Sequence, residues 1–149
     1  MSEWKWTQIA NHDTLTEGPV WDGSGLLYNE CAASTTFRWN PKTNESSVWR
    51  ENTGAANGQT FDRQGQLFVC ESDAHRITKV DASDLNAKPM IISDAYQGET
   101  MNWPNDIAVD QQGRVTSPIR TTQAAPAISI INRSTWPNTR LAATGTRCG

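Results

Sequence analysis

Three polar residues, Glu17, Asn57 and Asn105, each stand five positions before an aspartate: Asp22, Asp62 and Asp110. One is a carboxylate and two are amides, so side-chain oxygen is what the pattern offers. Such oxygens are hard donors that suit a cation of the Ca²⁺ type. A cation held this way can polarise a carbonyl and stabilise the oxyanion that forms when water attacks it. A carboxylate beside it would activate that water as general base. A lone Asn or Glu at a strand start or turn is commonplace. Three at one offset, with Glu17 directly before Gly18-Pro19, call for a common cause.

That cause lies in the elements around them. The stretches Glu17–Tyr28, Asn57–Phe68 and Asn105–Val115 follow one template: a short strand, Asp-x-x-Gly, then the start of a second strand. Asp can bond the backbone of a tight hairpin and Gly supplies a positive φ. Thr36–Trp39 and Arg76–Val80 read as third strands, Ser47–Trp49 and Met90–Ile92 as fourth strands. The anchoring aspartates are 40 and then 48 residues apart. Four short strands per 40–50 residues is the pattern of a β-propeller blade. An antiparallel sandwich has similar hairpins, but no reason to repeat one motif at this period. The first strand of each blade lines a propeller's channel, so Glu17, Asn57 and Asn105 are expected to converge on the axis.

Composition narrows the function classes. Of 149 residues, 36% are hydrophobic and 19% charged, both low for a globular domain, so neutral polar residues must cover much of the surface. A net charge of −3 argues against a general nucleic-acid binder. No apolar run reaches the ~20 residues that cross a bilayer, and the N-terminal residues carry no apolar stretch of signal-peptide kind. Cys31, Cys70 and Cys148 form neither a CxxC pair nor an even disulfide set. A cytoplasmic protein without nucleic-acid or membrane partners is expected. Glu71 is expected to be a solvated strand-end carboxylate, His12 and His75 surface residues, Cys31 and Cys70 buried thiols, and Trp21, Trp39 and Trp49 packing between blades.

Glu17-Gly18-Pro19-Val20-Trp21, Arg38-Trp39-Asn40-Pro41, Asn57-Gly58-Gln59-Thr60-Phe61-Asp62 and Asn102-Trp103-Pro104-Asn105-Asp106 together resemble the gluconolactonase/regucalcin (senescence marker protein) family. The resemblance runs from about Thr16 to Val115. It implies an all-β, six-bladed propeller with a divalent metal, usually Ca²⁺, in the central tunnel, and hydrolysis of sugar lactones or related esters. By it Glu17 and Asn105 are metal ligands, and Asn57, Asn102 and Asn105 face a small lactone substrate. The family's general base and further ligands come from later blades, so the catalytic residues are not among these positions. Trp103 replaces a small residue between Asn and Pro and would narrow the tunnel mouth.

Past Val115 the pattern changes. All 16 acidic residues lie between Glu3 and Asp110, and the segment from Thr116 onward carries four arginines and no acid. The resemblance implies a strand like Tyr-Phe-Thr-Asp-Pro where this chain reads Thr116-Ser117-Pro118-Ile119-Arg120. Loss of one nucleotide converts codons for the first run into codons for the second. The expected organisation is therefore residues 1–115 as the N-terminal part of an incomplete propeller, about two blades and the first strand of a third. Residues 116–149 would be an irregular, non-family tail, either out of frame or a genuine extension of this lineage; sequencing the gene across Val115–Arg120 decides between them. Such a fragment would be an inactive relative of a lactonase, prone to self-association through exposed blade edges. Two alternatives stay open: a propeller-type binding module completed by oligomerisation, and another ester or phosphoester hydrolase on the same fold.

Overall fold

Period-two alternation of side chains, punctuated by Asp-anchored turns, builds this chain into antiparallel sheets. The computed structural model describes residues 3–96, 98–119, 127–131 and 144–145. The first sheet is a meander of β1 (Thr16–Trp21), β2 (Leu26–Glu30), β3 (Thr35–Asn40) and β4 (Glu45–Glu51). The second repeats it with β5 (Ala56–Phe61), β6 (Gln66–Glu71), β7 (Arg76–Asp81) and β8 (Met90–Ser93). A small ribbon of β9 (Ala95–Tyr96) and β10 (Glu99–Thr100) follows. The third sheet orders β11 (Ala108–Val109), β12 (Val115–Ile119), β13 (Ala127–Ile131) and β14 (Thr144–Gly145). These are successive blades of an open propeller segment. First strands neighbour one another across blades, β1 against β5 and β5 against β11.

Each turn is made as its aspartate dictates. Asp22 Oδ1 accepts the backbone N–H of Ser24 (2.8 Å) and Gly25 (2.7 Å). Asp62 Oδ1 accepts those of Gln64 (2.8 Å) and Gln66 (2.9 Å), and Asp110 Oδ1 those of Gln112 (2.9 Å) and Arg114 (2.8 Å). Gly65 and Gly113 take the expected left-handed φ of 77°. In the first turn that role passes to Gly23, at φ 99°. Gly25 is needed for a different reason, because a Cβ there would lie 2.7 Å from the Arg38 guanidinium carbon.

The core sits between blades, and β6 faces both halves of it. Leu67 and Val69 point to one side and join Leu27, Ala56 and Val80 against the first sheet. Phe68 and Cys70 point to the other and join Ile77, Ile92, Met101, Ile107 and Val115 against the third. A strand covered on both faces reads as a continuous apolar run, which Leu67-Phe68-Val69-Cys70 does. At about 1.5–3 kcal/mol per buried large aliphatic or aromatic side chain, β6 ties the two interfaces together. Leu27, Leu67 and Val115 stand at the same offset after their aspartates, and all three are fully buried.

The third sheet carries more strands than the single one expected, since β12 pairs with β11 on one side and β13 on the other. Much of the expected irregular tail, residues 120–126, 132–143 and 146–149, lies outside the described residues, as does Cys148. Of the tryptophans, Trp49 packs against the core between the first two sheets. Trp21 does not pack as expected and is half-exposed. Cys70 is fully buried, but Cys31 only partly so. Among the described residues no helix is long and apolar enough to cross a membrane.

Candidate functional site

At the heads of the blades the backbones of neighbouring sheets come into direct contact. Both inner strands shift register there, β1 between Glu17 and Val20, β5 between Ala56 and Gln59. Such a bulge bends a strand and re-aims its side chains. Gly18 is left-handed at φ 59°, and a Cβ on it would overlap the Asn57 carbonyl oxygen. One blade further on, the Gly58 N–H donates to the Asn105 carbonyl at 2.7 Å, and a Cβ on Gly58 would lie 2.7 Å from that oxygen and from Asp106 Cα. The glycines after Glu17 and Asn57 thus let the next head lie directly against each. Glu17, Asn57 and Asn105 are placed side by side in blade order.

Their side chains remain available. Glu17 and Asn57 are half-buried and Asn105 is exposed. Among the described residues no hydrogen bond engages the Glu17 carboxylate or the side-chain amides of Asn57 and Asn105. The Cys31 thiol is pushed up by burial and then by the Glu17 and Asp73 carboxylates, which places negative charge around the first head. The described residues form no cluster of three His, Cys, Asp or Glu side chains. Glu17 therefore offers a carboxylate and Asn57 and Asn105 amide oxygens, donors of the right chemistry for Ca²⁺ but part of the 6–8 oxygens it takes, while the Asp106 carboxylate at the third head accepts the Ile107 N–H.

Asn102 lies in the loop between β10 and β11 rather than on a strand. That loop is fastened to the Ser72–His75 turn of blade two: Ser72 Oγ donates to the Pro104 carbonyl at 2.6 Å, and His75 Nδ1 lies 2.9 Å from the Met101 carbonyl. Trp103, at φ 33° before a proline, is strained for a bulky residue. Its half-exposed ring leans on His75, with centroids 5.6 Å apart. His75 is thus a loop anchor rather than a free surface residue.

Two other readings are corrected. Glu71 is fully buried, not solvated, because Arg50 of blade one (3.1 Å) and Arg76 (2.6 Å) neutralise it while Thr78 donates at 2.9 Å. His12 is not free on the surface. It packs on Phe37 at 4.6 Å, with its ring nitrogens 3.0 Å from Glu30 Oε2 and from the Tyr28 hydroxyl. Two buried amides at the heads, Asn29 and Gln59, were not singled out by sequence. Their only signal was a polar residue in an otherwise apolar strand position.

A propeller segment whose blade heads carry oxygen donors is the class these features define. The family model for the SMP-30/gluconolactonase/LRE-like region matches residues 15–128, and the chain belongs to that family. A gluconolactonase of Zymomonas mobilis is 27% identical over 121 residues, covering 72% of this chain and 33% of that one. Among solved structures, a structural-genomics target assigned as a gluconolactonase superposes with a TM-score of 0.76 at 18% identity, covering 86% of this chain and 49% of that one. A Xanthomonas campestris gluconolactonase gives 0.71 at 23%, covering 91% and 50%. The chain thus spans a third of the curated relative and about half of each solved structure. The matched region runs past Val115, to residue 128.

Proposed function

We propose that this chain carries the Glu17 side of a divalent-cation centre for sugar-lactone hydrolysis. The observation that supports it most is the adjacency of the three heads, which brings Glu17, Asn57 and Asn105 together with side chains unengaged. The Glu17 carboxylate would supply the anionic ligand and the Asn105 side-chain Oδ1 a neutral one. A bound Ca²⁺ would supply Lewis-acid polarisation of the lactone carbonyl. Asn57 and Asn102, and Asn105 through its N–H groups, would orient the substrate by hydrogen bonds to its hydroxyls. Water would add to the carbonyl, the ring C–O bond would break, and the product would be the open hydroxy acid.

These donors fall short of the 6–8 oxygens that Ca²⁺ takes, and none of them is assigned as the general base. The 149-residue chain alone is therefore expected to bind Ca²⁺ weakly, with a Kd of about 10⁻³ M as in weak extracellular sites, and to hydrolyse glucono-δ-lactone no faster than buffer. Calorimetric titration with Ca²⁺ and a pH-indicator assay test both. Loss of binding in Glu17→Gln supports the reading, and binding unchanged by that substitution overturns it. The free thiols Cys31 and Cys70 support a reducing, cytoplasmic setting.

A second reading, assembly with further copies, is favoured by half-exposed Trp21, Val48, Met90 and Ile91 on β1, β4 and β8. Unpaired strand edges with apolar side chains invite pairing. Size-exclusion chromatography with light scattering separates a discrete oligomer, which supports it, from a monomer, which does not.

A further inference from the structure

The two heads of blades one and two are held by a reciprocal pair of buried amides. Asn29 lies on β2 directly opposite Glu17 in the strand register. It is fully buried, and its Nδ2 crosses to blade two to donate to the Asn57 carbonyl at 2.6 Å. Its Oδ1 is fixed in turn by the Thr36 hydroxyl at 2.6 Å. From the other side Gln59, 6% exposed on β5, sends its Nε2 back to blade one and donates to the Gly18 carbonyl at 2.8 Å. Each blade thus grips the head dipeptide of the other. The gripped Asn57 carbonyl is in the peptide that leaves that residue, and the gripped Gly18 carbonyl lies one peptide beyond Glu17, so the bonds fix the backbone from which the two side chains project.

The arrangement is costlier than apolar packing would be. Gln59 Oε1 is buried without a partner, and a buried unsatisfied acceptor carries a desolvation penalty. A methionine would fill a similar volume without that penalty but could not hold Gly18. We infer that Asn29 and Gln59 are positioning residues that fix the Glu17 carboxylate relative to the Asn57 amide. Stability is a secondary consequence of the Gln59 contact. This rests on the proposed cation centre for its functional readout, but the clamp itself does not need a cation.

The test uses the whole chain and two variants, Gln59→Met and Asn29→Leu, with two measurements. Without metal, amide hydrogen exchange is followed at Gly58, whose N–H bonds to Asn105 and is not itself altered. The clamp predicts about tenfold faster exchange there in Gln59→Met, while Tm stays within a few degrees because loss of the orphaned Gln59 acceptor offsets the stranded Gly18 carbonyl. With Ca²⁺ as probe, the dissociation constant should weaken about tenfold in Gln59→Met. Asn29→Leu should show both effects together with a lowered Tm. Unchanged Gly58 exchange in Gln59→Met overturns the clamp. Wild-type Ca²⁺ binding retained at equal strength by Gln59→Met overturns the positioning role. Absence of wild-type Ca²⁺ binding defeats the cation centre, and with it the role assigned to the clamp, while the exchange result still decides whether the clamp exists.

Discussion

Blades one and two share a turn, a head and a strand order, yet they bury different polar chemistry at their inner ends. Blade one buries a neutral pair, Asn29 with Thr36. Blade two buries a charge, Glu71, held by Arg76 of its own sheet and Arg50 of its neighbour. Blade one has an ion pair of its own at the opposite end, where Arg38 Nε meets Asp22 Oδ2 at 2.5 Å. At the matching turn of blade two the Asp62 side chain holds backbone N–H groups. The repeat therefore prescribes the backbone, while each interface is free to choose its buried polar group.

The largest test of that difference is removal of the two buried groups in turn. Breaking a buried ion network leaves uncompensated charge, so Glu71→Gln should cost about 3–5 kcal/mol. Asn29→Leu should cost about 1–3 kcal/mol, the price of stranding hydrogen-bonding groups. Urea unfolding of both variants measures it, and equal losses would erase the distinction between the blades.

Glycine substitutions come next, because they separate crowding from backbone strain. Gly65→Ala meets open space and a left-handed φ, for about 1–2 kcal/mol. Gly58→Ala meets the Asn105 backbone instead and should cost about 1–3 kcal/mol. Gly18→Ala suffers both and should be the worst of the three. Thermal unfolding gives the order, and a benign Gly18→Ala would mean that the first two heads are not in contact.

A smaller effect is tied to pH. Burial alone would raise the Asp22 carboxyl, but the Arg38 hydrogen bond and the N–H groups of Ser24 and Gly25 outweigh it and hold it at about 2. With the folded value below the ordinary 3.8, its contribution is fully present above that pH and is lost as pH falls through about 2. The stability gap between wild type and Asp22→Asn should narrow over that window in acid titrations followed by circular dichroism. A constant gap would mean that Arg38 does not hold the turn.

The smallest concerns the thiols. Burial pushes Cys70 up to about 12, so native-state alkylation read by peptide mass should reach half-buried Cys31 first. Equal rates would place the second interface among the easily opened parts of the molecule.

The hairpins and strands of the first two blades were legible because their causes are local: an aspartate bonding the next few amides, a left-handed glycine, alternating side chains. The adjacency of Glu17, Asn57 and Asn105 was legible through the repeat. Glu71 was misread because its neutralising arginines are 21 residues upstream and five downstream, and no local rule pairs them. His12 was misread likewise, since its partners Tyr28, Glu30 and Phe37 lie on strands 16 or more residues away. Gly25 fits the motif yet serves packing against Arg38, so even a correct pattern assigned it the wrong reason. The third sheet was under-read because β12 begins Val115-Thr116-Ser117-Pro118, where a proline in a short polar run hides a strand.

The glycine contacts between heads have one more consequence. Because Gly18 touches Asn57 and Gly58 touches Asn105 through main-chain atoms, the step from blade to blade is set by peptide against peptide. The residues that project from those steps contribute nothing to the spacing. Positions 17, 57 and 105 can therefore exchange one chemistry for another without altering that step. The chemistry displayed at the heads can thus vary by substitution at three sites, with the scaffold's dimensions left intact.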